Sequence, residues 1–214
     1  MSFPPKYRAR SRVDISGEES RAKAVAVATE LFATSGFRGT SVAAVAARTG
    51  LSQSGLLHHF PSKAALLAAV LEQRDREDGD FLSGTTDPPL GWAAFDALTA
   101  LVARNSTRPQ LIGLFVRLAA EATEPSHPAH SWIREHYAGT RTWLTDAVHT
   151  GQQRGEISAD APVATIVRTT IAVIDGLQQQ WLLDPDEVSM AAEFEAFTHT
   201  LRARWGTTGA AERP

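Results

Sequence analysis

The sequence contains no cysteine, which excludes disulfides and any metal site built on thiolates. It has no apolar run approaching the ~20 residues that a bilayer crossing requires. Residues 1–8 lack the apolar stretch of a secretory leader, so a cytoplasmic protein with no membrane partner is expected. No nucleophile–base motif, phosphate-cradling glycine loop or paired-carboxylate signature occurs, which argues against an enzyme and against a cofactor. Convincing period-two alternation is also missing, as is any internal repeat, leaving an all-α fold as the expected class.

What is present is a 214-residue chain, 43% apolar and 21% charged, the composition of a protein that buries a core. Its charge is uneven. Residues 1–63 hold nine Lys or Arg against four Asp or Glu, a net of +5, and residues 64–214 carry a net of −8. A basic head on an acidic body directs any polyanion contact to the head. Residues 1–17, with Pro4, Pro5 and Lys6, Arg8, Arg10 and Arg12 at every second position, read as a flexible basic arm. Such an arm either reaches a DNA groove or only solubilises. Residues 206–214 read as a disordered tail.

From near Glu18, Val25, Ala28, Leu31 and Phe32 recur at three- and four-residue steps, an amphipathic helix that Gly36 is placed to cap. Thr40 is a good N-cap for a second helix containing Val42, Val45 and Ala46. Gly50 supplies a tight turn, Leu51 plugs the corner, and Ser52 caps a third helix with Leu56 and Phe60 inward. Pro61-Ser62-Lys63 opens a fourth. Two short helices, a glycine turn and a polar opening Ser52-Gln53-Ser54 meet the needs of a helix-turn-helix, as would two core helices joined by a glycine turn. Gly55 is a poor helix former, which suggests close backbone approach to something bulky. After a loop at 84–89, five apolar-periodic blocks follow at about 90–104, 109–122, 129–153, 160–182 and 186–205, with prolines near their edges.

The run from Gly36 to Leu67 closely resembles the DNA-binding segment of the tetracycline-repressor (TetR) family. Phe32, Gly36, Thr40, Val45-Ala46, Gly50-Leu51-Ser52, Gly55, His59-Phe60, Lys63 and Leu66 all agree in spacing. The resemblance implies a three-helix DNA-binding domain over 18–64 and a helical dimerisation and ligand-binding domain over 65–205, about nine helices in all. It places Thr40, Ser41 and Val42 against the DNA backbone. Ser52, Gln53 and Ser54 fall where the recognition helix begins, with Leu56 beside them, and His58 and Lys63 fall on phosphate-contacting positions. Gln53 can pair bidentately with adenine. Leu57 stands where most relatives have a phosphate-binding Tyr; it cannot donate a hydrogen bond but can meet a thymine methyl.

For the body, the resemblance implies that the last two long helices pair with their symmetry mates, with Val167, Ile171, Trp181, Phe194, Phe197 and Leu201 as candidate interface residues. Aromatic residues in an Ala-rich domain, Trp92, Phe95, Phe115, Trp132, Tyr137, Trp143 and Trp181, with Ile174 and Gln178, are candidates for an effector pocket. Arg117, Gln178 and His136 are possible polar anchors. His58 and His59 point about 100° apart on a helix and would not chelate together, and the His127, His130, His136 string reads as a solvated loop; no metal site is expected. The expected partners are a palindromic double-stranded operator, a small apolar or aromatic effector and a second copy of the chain. The competing reading is a DNA-binding dimer without a small effector.

Overall fold

The computed structural model describes residues 12–84 and 88–207. Nine helices occupy the described residues: α1 (Arg12–Gly39), α2 (Val42–Thr49), α3 (Gln53–His59), α4 (Lys63–Ser83), α5 (Trp92–Asn105), α6 (Pro109–Glu121), α7 (His130–Gln153), α8 (Val163–Leu183) and α9 (Met190–Trp205). The one extended pairing among them is an isolated antiparallel bridge, Ile157 with Gly206. The all-α expectation therefore holds, and each of the five body blocks coincides with a helix to within four residues at either end.

Local chemistry sets the helix ends. Ser41, Ser52 and Ser62 open α2, α3 and α4, their hydroxyls each accepting at 3.0 Å from the backbone N–H three residues on. Gly50 closes α2 at φ +77° with its N–H on the Ala46 carbonyl, a conformation that costs glycine least. Gly36 takes φ +70° and breaks the line of α1.

Two sequence expectations are corrected at the termini. Residues 1–11 of the basic arm lie outside the described residues, but α1 already begins at Arg12 rather than near Glu18. The tail after 207 also lies outside them, yet its first residues are paired: Gly206 bridges Ile157, and Thr207 N–H donates to the Glu156 carbonyl at 3.2 Å.

The core divides into two clusters that do not follow the 64/65 boundary. One joins α1–α4 to Leu114, Phe115 and Leu118 of α6 and Ile133 of α7, centred on the fully enclosed Phe32. The other gathers α5, the second half of α7, α8 and α9 around Phe95, Leu144, Val148 and Phe194. The head is thus packed directly onto the end of α6, so a shift of α6 is felt by the head through close-packed contacts.

Candidate DNA-reading surface and effector cavity

α3 presents one polar face to solvent. Leu56 is buried, as is Phe60 just beyond the helix, while Ser52, Gln53, Ser54, Leu57 and His58 are exposed. Positions 53, 54, 57 and 58 share a side of the helix by the three- and four-residue spacing. Ser41 and the neighbouring Ala43, Ala44 and Ala47 of α2 are exposed, and Val42 is half-buried. A Cβ at Gly55 would stand 3.1 Å from the Ser52 hydroxyl that caps the helix, but Ala44 and Ala65 occupy the same position under the Ser41 and Ser62 caps, so the cap alone does not call for glycine.

Two of the residues expected to touch DNA are engaged inside the head. Thr40 is buried at 4% exposure, and its hydroxyl donates to the carbonyls of Leu31 and Gly36 at 3.0 and 2.9 Å. Ser41, not Thr40, is therefore the N-cap of α2. Lys63 Nζ donates to the carbonyls of Phe37 and Thr40 at 2.8 and 2.9 Å and lies 4.4 Å over the Phe37 ring. It ties the α1–α2 turn to the start of α4.

That turn also meets the body. The Phe37 ring stands edge-on to His127 at 5.3 Å. His127 is buried; its Nδ1 accepts from the Ala129 N–H at 3.2 Å, and Nε2 lies 3.3 Å from Glu121. The solvated-loop expectation for this histidine is thus corrected. His130 instead meets the Ala122 carbonyl at 2.8 Å, and His136 stacks on Trp132, so the three histidines have separate partners.

A cavity of about 130 Å³ lies within the body, walled by α4, α5, α6, α7 and α8 with Met190 of α9. Phe115, Tyr137, Trp143 and Ile174 line it with the aliphatic Leu101 and Val102. Its polar members are Arg74, Asp78, Asn105, His136, Thr140, Asp175 and Gln178. Tyr137 donates to Asp175 at 2.8 Å. Burial raises the Asp175 carboxyl above its usual range, and burial followed by the Asp175 charge raises the Tyr137 phenol. Arg74, 6% exposed, lies 4.3 Å over the Phe115 ring and 3.6 Å from both Asp75 and Asp78. A wider cleft of about 410 Å³ adjoins the cavity, sharing Asp78, Leu82, His136, Thr140 and Trp143 as walls.

This combination of an exposed helix-turn-helix and a cavity against its fourth helix agrees with comparison to known proteins. A family model described as bacterial regulatory proteins of the tetR family matches residues 24–70, and one for the C-terminal part of BetI-type transcriptional repressors matches residues 94–205. The chain belongs to the TetR family. The regulator TtgR of Pseudomonas putida is 26% identical over 200 residues, covering 88% of this chain and 92% of TtgR. Among solved structures, the SmeT–triclosan complex superimposes with a TM-score of 0.77 at 16% identity, covering 92% of this chain and 98% of that one. SmeT is the repressor of the Stenotrophomonas maltophilia multidrug efflux pump SmeDEF. A regulator from Saccharomonospora viridis in complex with choline gives 0.75 at 18% identity, covering 89% and 99%. This TetR-family protein is a DNA-binding transcriptional regulator.

Within the TetR fold the expected effector residues separate. Phe115, Trp143, Ile174 and Gln178 meet at the cavity, and Trp132 lines the adjoining cleft. Phe95, Trp181 and Trp92 do not line the cavity; the first two are core and Trp92 packs against that core, its ring 5.4 Å from that of Phe95. Of the possible anchors, Gln178 and His136 reach the cavity, whereas Arg117 is exposed. Of the expected interface residues, Val167, Trp181 and Phe194 are enclosed by the chain's own core, while Ile171, Phe197 and Leu201 are half-buried. Sequence reasoning missed Arg74, Asp78 and Asp175. The available clue was the four-residue spacing of Arg74 and Asp78, but it lies within the charged run from Glu72 to Asp80, where nothing local marks these two for burial.

The Lys63 brace leads to a stability prediction. Lys63→Ala removes two charge-assisted hydrogen bonds, each worth about 1.5–3 kcal/mol, but the freed carbonyls are only part-buried and can partly rehydrate. A loss of about 2 kcal/mol in urea unfolding is therefore expected without any DNA present. An unchanged midpoint would return Lys63 to a purely DNA-facing role.

Proposed function

We propose that this regulator is a homodimeric repressor, working in the cytoplasm, that a small apolar or aromatic effector releases from a palindromic operator. The observation that carries the reading is the reach of α4. Its first turns pack Leu66, Leu67 and Val70 into the head core, and further along Arg74, Asp78 and Leu82 wall the cavity. At 1.5 Å rise per residue, its 21 residues form a lever of roughly 31 Å. An occupant of the cavity that favours one position of α4 selects one orientation of the reading head. The same fold holding triclosan in SmeT and choline in the S. viridis regulator supports a ligand role for the interior.

In the reading head, Gln53 meets a base edge, Ser41, Ser52, Ser54 and His58 meet phosphates or base edges, and Leu57 lies against a thymine methyl. Two heads reading one palindrome must stand one DNA turn apart, ~34–36 Å. We assign pairing to α8 and α9 through their outward residues. Ile171, Phe197 and Leu201 fit the edge of that interface, and the 80% exposed Leu183 fits its surface.

Gel-shift titration on the DNA flanking the gene tests the reading. Gln53→Ala is expected to weaken specific binding about 5- to 150-fold, the 1–3 kcal/mol of a bidentate base contact, while leaving non-specific binding intact. Unchanged operator affinity sinks the assignment of α3. Sedimentation that finds a monomer at micromolar concentration sinks the dimer.

A further inference from the structure

The polar groups in the cavity wall are not balanced. Arg74 is the one Lys or Arg among the lining residues; it is ion-paired with Asp75 and Asp78 at 3.6 Å and lies over the face of Phe115, although its Nε and Nη1 have no hydrogen-bond acceptor. Asp78 has a second cation, Arg104, at 3.4 Å. Asp175 has none. One of its oxygens accepts from Tyr137, and among the described residues no Lys, Arg or His forms an ion pair with either, although His136 and Arg74 act on it by charge from farther away. Its carboxyl is held above the usual range by burial, which outweighs the Tyr137 hydrogen bond and the pull of His136 and Arg74.

Two neutral acceptors share this deficit. Asn105 Oδ1 and Gln178 Oε1 are buried without a donor, in side chains that line the same cavity and are 5% and 7% exposed. A buried acceptor without a donor costs about 1–3 kcal/mol, so the wall holds donor-seeking groups that the chain itself does not satisfy. The adjoining cleft adds Asp75 and Glu135 to the shared Asp78, with no Lys or Arg among its lining residues. Asp75 and Asp78 face Arg74, and Asp78 also faces Arg104, so the remaining negative charge of this cleft is small, but its sign favours cations over anions. The indoles of Trp132 and Trp143 line that mouth, surfaces that cations favour over neutral solutes. The cavity itself, about 130 Å³, compares with the ~150 Å³ apolar cavity that admits one benzene ring.

From these observations we propose that the cavity takes a small aromatic amine, its ring against Phe115, Trp143 and Ile174 and its ammonium group on Asp175. The ammonium N–H groups supply the donors that Asp175, Gln178 and Asn105 lack. The proposal rests on the reading that this cavity is the effector site, and it names the effector's chemical class.

Calorimetry on the full chain with three matched probes, benzylamine, benzyl alcohol and benzoate at pH 7, tests it. Benzylammonium is expected to bind at least 10-fold more tightly than benzyl alcohol, and benzoate more weakly than either. Asp175→Asn, which keeps an acceptor for Tyr137, should bring benzylammonium to within about threefold of benzyl alcohol, whose own retained affinity reports that the variant is folded. Tyr137→Phe, which frees the second Asp175 oxygen, should tighten benzylammonium at least twofold; unchanged or weaker affinity counts against the assignment. Ile174→Trp, which fills the cavity, should abolish binding of all three. If the alcohol or benzoate binds as tightly as the amine, or if Asp175→Asn leaves the preference intact, the amine assignment is overturned. The effector-cavity reading survives that result provided Ile174→Trp still abolishes binding. If no probe binds, or Ile174→Trp changes nothing, the cavity reading fails and the amine assignment fails with it.

Discussion

Phe32→Ala is expected to lower the unfolding free energy by about 3–5 kcal/mol, the cost of emptying a phenyl-sized space in a packed core. Phe32 is wholly enclosed, 5.8 Å from the Phe37 ring, in the cluster that joins the head to α6 and α7. Room for relaxation is limited, because the cluster draws its members from α1–α4, α6 and α7. Against a typical total of about 5–15 kcal/mol, such a loss leaves the variant marginal at best. The denaturation midpoint should fall with little change in slope, and operator binding should disappear with it. A midpoint within experimental error of the parent would mean that the head is not held by this cluster.

The second large effect concerns Arg74. Arg74→Met preserves most of the side-chain volume over Phe115 but strips Asp78 of one of its two cations. Breaking a buried pair from one side costs about 3–5 kcal/mol. The lower end, about 3 kcal/mol, is expected because Arg104 remains 3.4 Å from Asp78. Replacing both partners, as Arg74→Met with Asp78→Leu, should recover much of the loss, since no unpaired charge is then left inside. The pH dependence has a definite sign. Burial already raises the Asp78 carboxyl above 3.8, against the pull of Arg74 and Arg104, so the folded protein binds this proton more tightly than the unfolded chain does. Stability linked to Asp78 therefore falls as pH rises from about 3.8 through the raised folded value and is recovered on acidification. Arg74→Met should enlarge that dependence. A penalty that stayed constant with pH would assign the loss to packing rather than to the stranded carboxylate.

The helix-turn-helix was legible residue by residue because its determinants are local. The positive φ of Gly36 and Gly50, the Ser52 cap and the inward Leu56 and Phe60 each depend on neighbours within about one turn. The choice of N-cap for α2 was not legible in the same way. Thr40 and Ser41 are chemically equivalent candidates, and the decision came from the carbonyls of Leu31 and Gly36, which claim the Thr40 hydroxyl. Lys63 teaches the same lesson. The family resemblance placed it on a phosphate, yet the folded chain brings it two carbonyls 23 and 26 residues away.

The effector cavity was only half legible. Aromatic character separates buried from exposed, but it does not say whether a ring faces a void or a neighbour, so Phe115 and Phe95 looked alike. Charged residues inside helices are ordinarily solvated, which is why Arg74, Asp78 and Asp175 went unnoticed.

By itself the sequence determined the all-helical class and the positions of the helices, because hydrophobic period and capping act over one or two turns of chain, and its resemblance to the TetR family picked out the reading head. Tertiary structure alone decided that the head shares a core with α6, that Val167, Trp181 and Phe194 face inward, and that a lone carboxylate on α8 meets a tyrosine 38 residues away beside an empty space. Those are relations between helices, and the rotation of one helix against another is fixed by how their side chains interlock, which no local pattern encodes.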